Sequence, residues 1–187
     1  MKTAFKKIVL FGPESTGKTW LAERLADHYH TVWVAEYART YLESKKKYYN
    51  FYSNGSEEIC LQEDILPIVL GQMAIEDVIE KNAHKLIFYD TNPLQTKVYV
   101  NHYYRTDYAW LLKVLEERHY DFYLLTNTDV AWQPDALRDR PENRDDMFLL
   151  FKTELEKRKL PFAIVSGTDQ ERMQKAIAYV DGFIKNY

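Results

Sequence analysis

Gly12-Pro13-Glu14-Ser15-Thr16-Gly17-Lys18-Thr19 brings together the residue types needed to hold a phosphate, at the spacing G-x-x-x-x-G-K-[ST]. In such a loop consecutive backbone N–H groups wrap the phosphate, and the following helix N-terminus adds its partial positive charge. Glycine at positions 12 and 17 lets the backbone come close where a side chain would intervene. Lys18 is placed to reach the β- and γ-phosphates, and the Thr19 hydroxyl to ligate Mg²⁺. The candidate nucleotide-binding set is therefore Gly12, Glu14, Ser15, Thr16, Gly17, Lys18 and Thr19, with ATP and Mg²⁺ as the expected cofactors. The flanks agree with this: Phe5 and Ile8–Phe11 form an apolar run of strand length before the loop, and Leu21, Ala22, Leu25 and Tyr29 recur at helical spacing after it.

Two carboxylates stand at the ends of expected strands. Leu86-Ile87-Phe88-Tyr89 runs into Asp90, the place of a Walker B aspartate, which holds Mg²⁺ or accepts the proton of a substrate hydroxyl. An aspartate ahead of a helix also reads as an N-cap, a role that Thr91 or Asn92 would fill equally well. Glu36, in Glu36-Tyr37-Ala38-Arg39, is the second candidate, a group that orients an acceptor hydroxyl and takes its proton. Arg39 would steady that carboxylate or a phosphate, or form no more than an i,i+3 surface pair. The residues leave open which of Glu36 and Asp90 is the base. Downstream, a polar stretch near 127–145 holds Trp132, Arg138, Arg140 and Arg144. Three arginines so close together suit a lid that spreads the charge of a transferring phosphoryl group and excludes water. The interleaved Asp135, Asp139, Glu142, Asp145 and Asp146 would instead pair with them on a solvated face. Trp132 suits stacking on a ligand as well as core packing. Lys18, Glu36, Asp90, Arg138, Arg140 and Arg144 are the catalytic candidates, with Thr19 and Asp90 at the metal.

Positioning these groups calls for strands that alternate with amphipathic helices. Beyond the strand before the phosphate loop, strands are expected over Thr31–Ala35, Leu86–Tyr89, Phe122–Leu125 and Phe162–Val165. A short helix is expected over Tyr37–Lys47, loop over Tyr48–Ser56, and a long helix from Glu57 to about Ala83. Ile65, Leu66, Val69, Leu70, Met73 and Ile79 would line one face of the long helix, and Pro67 would kink or break it. Asn92-Pro93 opens the next helix with proline at its first position. Leu111, Leu112 and Leu115 mark another, Met147, Phe151 and Leu155 a third, and Met173, Ile177, Val180 and Ile184 face the core from the last. Strands that are continuous apolar runs belong to a parallel sheet covered on both faces. The expected fold is α/β, a P-loop kinase-like three-layer sandwich with a five-stranded parallel sheet, in one domain over residues 1–187. Ligands bind beyond the carboxyl ends of such strands, so Glu36, Asp90 and the loop after Leu125 converge on the phosphate loop.

Composition narrows the partners. With 187 residues, 46% hydrophobic and 28% charged, the chain has the make-up of a globular protein with one core. A net charge of −3 gives no reason to expect nucleic acid or an anionic membrane as partner. Cys60 is the single cysteine, so no internal disulfide forms, in keeping with a reducing, cytoplasmic setting. Lys2, Lys6 and Lys7 precede an apolar run too short for a signal peptide. The 15 tyrosines suit half-buried surfaces or ring-shaped ligands. A homo-oligomer is allowed and not required.

Taken in order, Gly12–Thr19, Glu36-Tyr37-Ala38-Arg39, Gly71-Gln72, Asp90-Thr91-Asn92 and Asp135-Ala136-Leu137-Arg138 resemble the ribosylnicotinamide kinase domain of the NadR family. The similarity runs over nearly the whole chain. It implies ATP-dependent phosphorylation of the 5′-hydroxyl of nicotinamide riboside, giving the mononucleotide, in NAD salvage. Family members often carry a mononucleotide adenylyltransferase domain as well, for which this length leaves no room. Two positions depart from the family pattern, which commonly has a second aspartate at Asn92 and a tryptophan at Ala35; Trp33 lies two residues back, where strand alternation would turn it to the face of Ala35. Tyr37, Arg39, Glu63, Asp64, Gln72, Asn92 and Trp132, with Glu36, are the candidate acceptor-binding residues, and Tyr37, Trp33 or Trp132 would stack on the ring. The alternatives are a kinase for another nucleoside, deoxynucleoside or small metabolite, and an ATP-binding regulator that transfers nothing.

Overall fold

The computed structural model describes residues 5–49, 60–132 and 144–185. Five strands, β1 (Lys6–Phe11), β2 (Trp33–Val34), β3 (Leu86–Asp90), β4 (Phe122–Thr126) and β5 (Phe162–Val165), form one parallel sheet in the order β2-β3-β1-β4-β5. Successive side chains on a strand point to opposite faces, and the apolar runs divide accordingly. Ile8, Leu10, Leu86, Phe88, Phe122 and Leu124 pack with Leu21, Ala22, Leu25, Ala176 and Val180 on one face. The last five belong to helices α1 (Lys18–His28) and α7 (Asp169–Lys185). Val9, Phe11, Ile87, Tyr89, Tyr123 and Leu125 face the other way, onto Leu94, Val98, Met147, Phe151 and Leu155. Those come from α4 (Pro93–Tyr104) and α6 (Arg144–Lys157); α2 (Tyr37–Tyr49), α3 (Ile65–Ile79) and α5 (Ala109–Glu117) complete the described helices. The result is the three-layer α/β sandwich expected from the strand pattern.

This arrangement decides where a ligand binds. The chain leaves β1 toward α1 on one face and leaves the neighbouring β3 toward α4 on the other, so a crevice opens between those two strand ends. Several expectations change in detail. The long helix starts at Ile65, after a 3-10 turn at Gln62–Asp64, and closes in another at Glu80–Asn82. Pro67 therefore lies in its first turn, where an N–H has no partner within the helix to lose, and the helix runs on through it to Ile79. Residues 50–59, including the start of that expected helix, lie outside the described residues. The buried face of α3 is Ile65, Ile68, Val69, Gln72 and Glu76, whereas Leu66 and Leu70 are exposed. Ile184 is likewise exposed near the end of α7, and β2 contains only Trp33 and Val34.

Candidate active site

The phosphate loop is held open by register. Phe11 pairs with Leu125 across β1 and β4, which brings Thr126 level with Gly12. A Cβ on Gly12 would lie 2.8 Å from Thr126 Oγ1 and 2.9 Å from Thr126 O, and its φ of 137° is one that side chains rarely adopt. Thr16 bonds Pro13 O at 2.8 Å and the Thr126 hydroxyl at 2.7 Å, closing the loop on itself and onto β4. Gly17, with φ 76°, caps α1. Lys18 lies beneath this cradle with Nζ on Pro13 O at 2.7 Å. Gly12→Ala combines strain with a clash and is expected to cost about 1–3 kcal/mol. A denaturant midpoint indistinguishable from the wild type would contradict that reading of the loop.

A residue that sequence reasoning missed braces the same loop. Arg172, 2% exposed, donates to Thr16 O and Asn127 O at 2.8 Å and to Gly167 O at 2.9 Å, and it pairs with Asp129. One guanidinium thus ties the phosphate loop to the loops after β4 and β5, a use of its rigid fork of donors. An arginine inside a helix of alternating charge gave no sign of this.

Asp90 ends β3 beside Leu10, and its Oδ2 accepts a hydrogen bond from Thr19 Oγ1 at 2.5 Å. Its other oxygen, Oδ1, is buried without a hydrogen-bond partner. Burial raises its pKa, while Lys18, the Thr19 hydroxyl and Arg39 hold it down. A hydroxyl, a carboxylate and an orphaned oxygen beside a phosphate cradle fit Mg²⁺, which takes one or two protein ligands along with nucleotide phosphates. Asp90 is not the cap of α4. Asn92 occupies that position, and its Nδ2 goes to Tyr123 OH at 3.1 Å. Between them Thr91 has φ 76°, an outlier for a β-branched residue that turns the chain sharply at the crevice.

A cleft of about 1210 Å³ runs from Gly167–Asp169 and Arg172 past Glu14–Thr19 to Glu36, Arg39, Gln72, Asn92, Tyr99 and Tyr103. Glu36 lines it as well, in reach of the Asp90 and Lys18 charges. Burial first, and the Asp90 charge second, push its carboxyl up to about 7, with Lys18 and Arg39 opposing. Gln95, also absent from the sequence reading, donates to Glu36 Oε1 at 3.4 Å. Gln95 Oε1 and Asn92 Oδ1 are buried acceptors with no hydrogen-bond partner. Arg39 lines the cleft and also pairs with Glu43 at 3.6 Å.

Other expected site residues are placed differently. Asp64 is not part of the cleft wall: it is buried, accepting from Tyr41 at 3.0 Å and from the Leu61 amide at 2.7 Å, and pairing with Lys45. Glu63 is exposed. Tyr37 is also absent from the cleft wall, its ring lying where a Cβ on Gly71 would come within 2.0 Å of it. Trp33 packs against the α1 and α7 core instead of turning toward the ligand. Trp132 lies under the Arg144 guanidinium at 5.7 Å, and Arg144 reaches Ser15 O at 3.2 Å and Val130 O at 2.9 Å. That pairing puts the start of α6 against the phosphate loop. Arg138 and Arg140 lie outside the described residues.

Comparison with known proteins fits this geometry. The profile of the AAA domain family (AAA_28) matches residues 7–172. The chain is 27% identical over 169 residues to the trifunctional NAD biosynthesis/regulator protein NadR of Escherichia coli, covering 89% of this chain and 39% of that protein. It spans only 31–39% of the length of the curated relatives it matches. A NadR protein solved in complex with NR superposes with a TM-score of 0.76 at 21% identity, over 96% of this chain and 50% of that one. A deoxyadenosine kinase from M. mycoides gives 0.61 at 11% identity, over 94% and 99%. The fold is that of P-loop nucleoside kinases, and no helix among the described residues is long and apolar enough to cross a membrane. With the matched profile covering most of its length, the chain belongs to the AAA_28 family of AAA domains.

Proposed function

We propose that this chain is an ATP-dependent phosphotransferase acting on an alcohol group, and that its acceptor is the 5′-hydroxyl of nicotinamide riboside. The observation that carries the reading is one cleft lined both by the phosphate-loop residues Glu14–Thr19 and by aromatic and polar side chains, with Glu36 near Lys18 and Asp90 and hydrogen-bonded to Gln95. In this reading Lys18 and the loop amides hold the ATP phosphates. Thr19 and Asp90 hold Mg²⁺, which draws charge from the phosphates when bound. The Thr19 bond to Asp90 favours Asp90 as the metal ligand, which leaves Glu36 as the base that receives the acceptor proton. A carboxyl poised at about 7 suits that task at neutral pH. Arg39 and Arg144 stand close enough to the cradle to balance negative charge.

The acceptor end supports a hydroxyl-rich, cationic ring. Asn92 Oδ1 and Gln95 Oε1 offer buried acceptors to sugar hydroxyls. Tyr99, Tyr103 and Tyr104 line that end, and tyrosine faces attract a positively charged pyridinium, as does ionised Glu36. The ordered resemblance to NadR kinase domains and the NR named with a solved NadR protein point the same way. Phosphorus NMR of the protein with Mg·ATP and nicotinamide riboside tests the reading. A riboside monoester growing in step with ADP is expected; ADP and free inorganic phosphate alone would contradict it.

A further inference from the structure

Glu76 is a fully buried carboxylate that the chemistry above does not use. It lies one turn after Gln72 on α3, and its Oε1 accepts from Gln72 Nε2 at 3.2 Å. Its Oε2 accepts from Arg118 Nη1 at 2.9 Å and from Tyr120 OH at 2.8 Å. Arg118 is itself fixed by Asp77 at 2.6 Å and Met73 O at 3.4 Å. Burial, and to a lesser degree the Glu80 charge, raise the Glu76 pKa while Tyr120, Arg118 and Gln72 oppose them; each of its hydrogen-bond partners donates, as a carboxylate requires.

The consequence falls on Gln72. An amide has a donor end and an acceptor end, and Glu76 takes the donor end. That leaves Gln72 Oε1 to receive the Tyr37 backbone N–H at 2.9 Å. Tyr37 is the first residue of α2, directly after Glu36, and its N–H has no acceptor within the helix. The Tyr37 ring resting on Gly71 seals the same junction. With Glu76 removed, the amide is free to flip and set NH₂ against N–H, loosening the start of α2.

We propose that Glu76 is a positioning residue for phosphoryl transfer: by orienting the Gln72 amide it holds the start of α2, and with it Glu36 and Arg39, in place in the wall of the cleft. The catalytic half of this proposal rests on the kinase reading. Two readouts on Glu76→Gln, Gln72→Ala and the double variant test it. Amide hydrogen exchange at Tyr37 should quicken at least about tenfold in each single variant and no further in the double, with β1 and α1 protection unchanged. Acceptor-dependent kcat should fall about tenfold or more in each, again without multiplying in the double, and KM for ATP should stay within about twofold. Tyr37 protection unchanged in Glu76→Gln would overturn the relay whatever the wild-type protein turns over. Losses that multiply, or that appear equally in KM for ATP, would overturn the positioning role in favour of a merely structural one. A wild-type protein with no acceptor-dependent turnover would overturn the kinase reading and, with it, the catalytic half alone.

Discussion

Glu36→Gln is expected to lower acceptor-dependent kcat by about 10²–10⁴-fold, the range a positioned general base contributes, with KM for ATP little changed. The reason is place and charge together. Glu36 lines the cleft beside Lys18, Asp90 and Gln95, and burial with the Asp90 charge pushes its carboxyl up to about 7. Only the ionised form accepts a proton, so wild-type kcat/KM should climb with pH and level off above about 7, a limb the variant should lack. Stability runs the other way. A carboxyl raised in the folded state favours folding fully below its ordinary range near 4.5, and that contribution is lost as pH rises through about 7. At pH 8 the wild type therefore holds a half-buried, poorly solvated charge at a cost that glutamine avoids. Glu36→Gln should melt about 2–4 °C higher there, the shift that roughly 1 kcal/mol makes in a domain of this size. A variant with wild-type turnover would remove Glu36 from the chemistry, and one less stable at pH 8 would contradict the charge argument.

Lys18→Ala should be the other severe change. Its ammonium is the buried cation of the phosphate loop, at 8% exposure, held on Pro13 O at 2.7 Å. Removing one preorganised electrostatic group from such a site costs about 10²–10³-fold in kcat. Fold should be retained, because Thr16 and Arg172 brace the loop without help from Lys18. Circular dichroism with single-turnover kinetics checks both halves. Intact spectra with turnover reduced by less than tenfold would show that the cradle is not where the transferred phosphate sits.

Much of the framework could be read from local pattern. The strand, glycine loop and helix around Gly12–Thr19, the strand ending at Asp90 and the proline opening α4 each depend on neighbours in sequence, and each stands where the pattern puts it. What could not be read depends on packing between distant segments. Trp33 shares a strand with Val34, but only the sheet decides which face meets α1 and α7. Asp64 reads as a ligand-binding acid until Tyr41 and Lys45 are seen to occupy it. Leu66 and Leu70 fit a helical stripe, yet α3 turns Gln72 and Glu76 inward because Tyr37, Arg118 and Tyr120 supply their partners. Arg172 and Gln95 gain their roles only when the strand ends converge. Polar residues with distant partners are therefore where sequence reading stopped short.

The central claim is that this chain moves a phosphoryl group from ATP to nicotinamide riboside. ADP release from Mg·ATP, measured with nicotinamide riboside, with the common ribo- and deoxyribonucleosides, and with no acceptor, tests it most directly. The account predicts strong stimulation by nicotinamide riboside, weak or none by the other nucleosides, and a slow rate without acceptor. Stimulation by a different nucleoside instead would contradict the acceptor assignment while keeping the chemistry of the cleft. ADP release that no acceptor changes would contradict the claim itself.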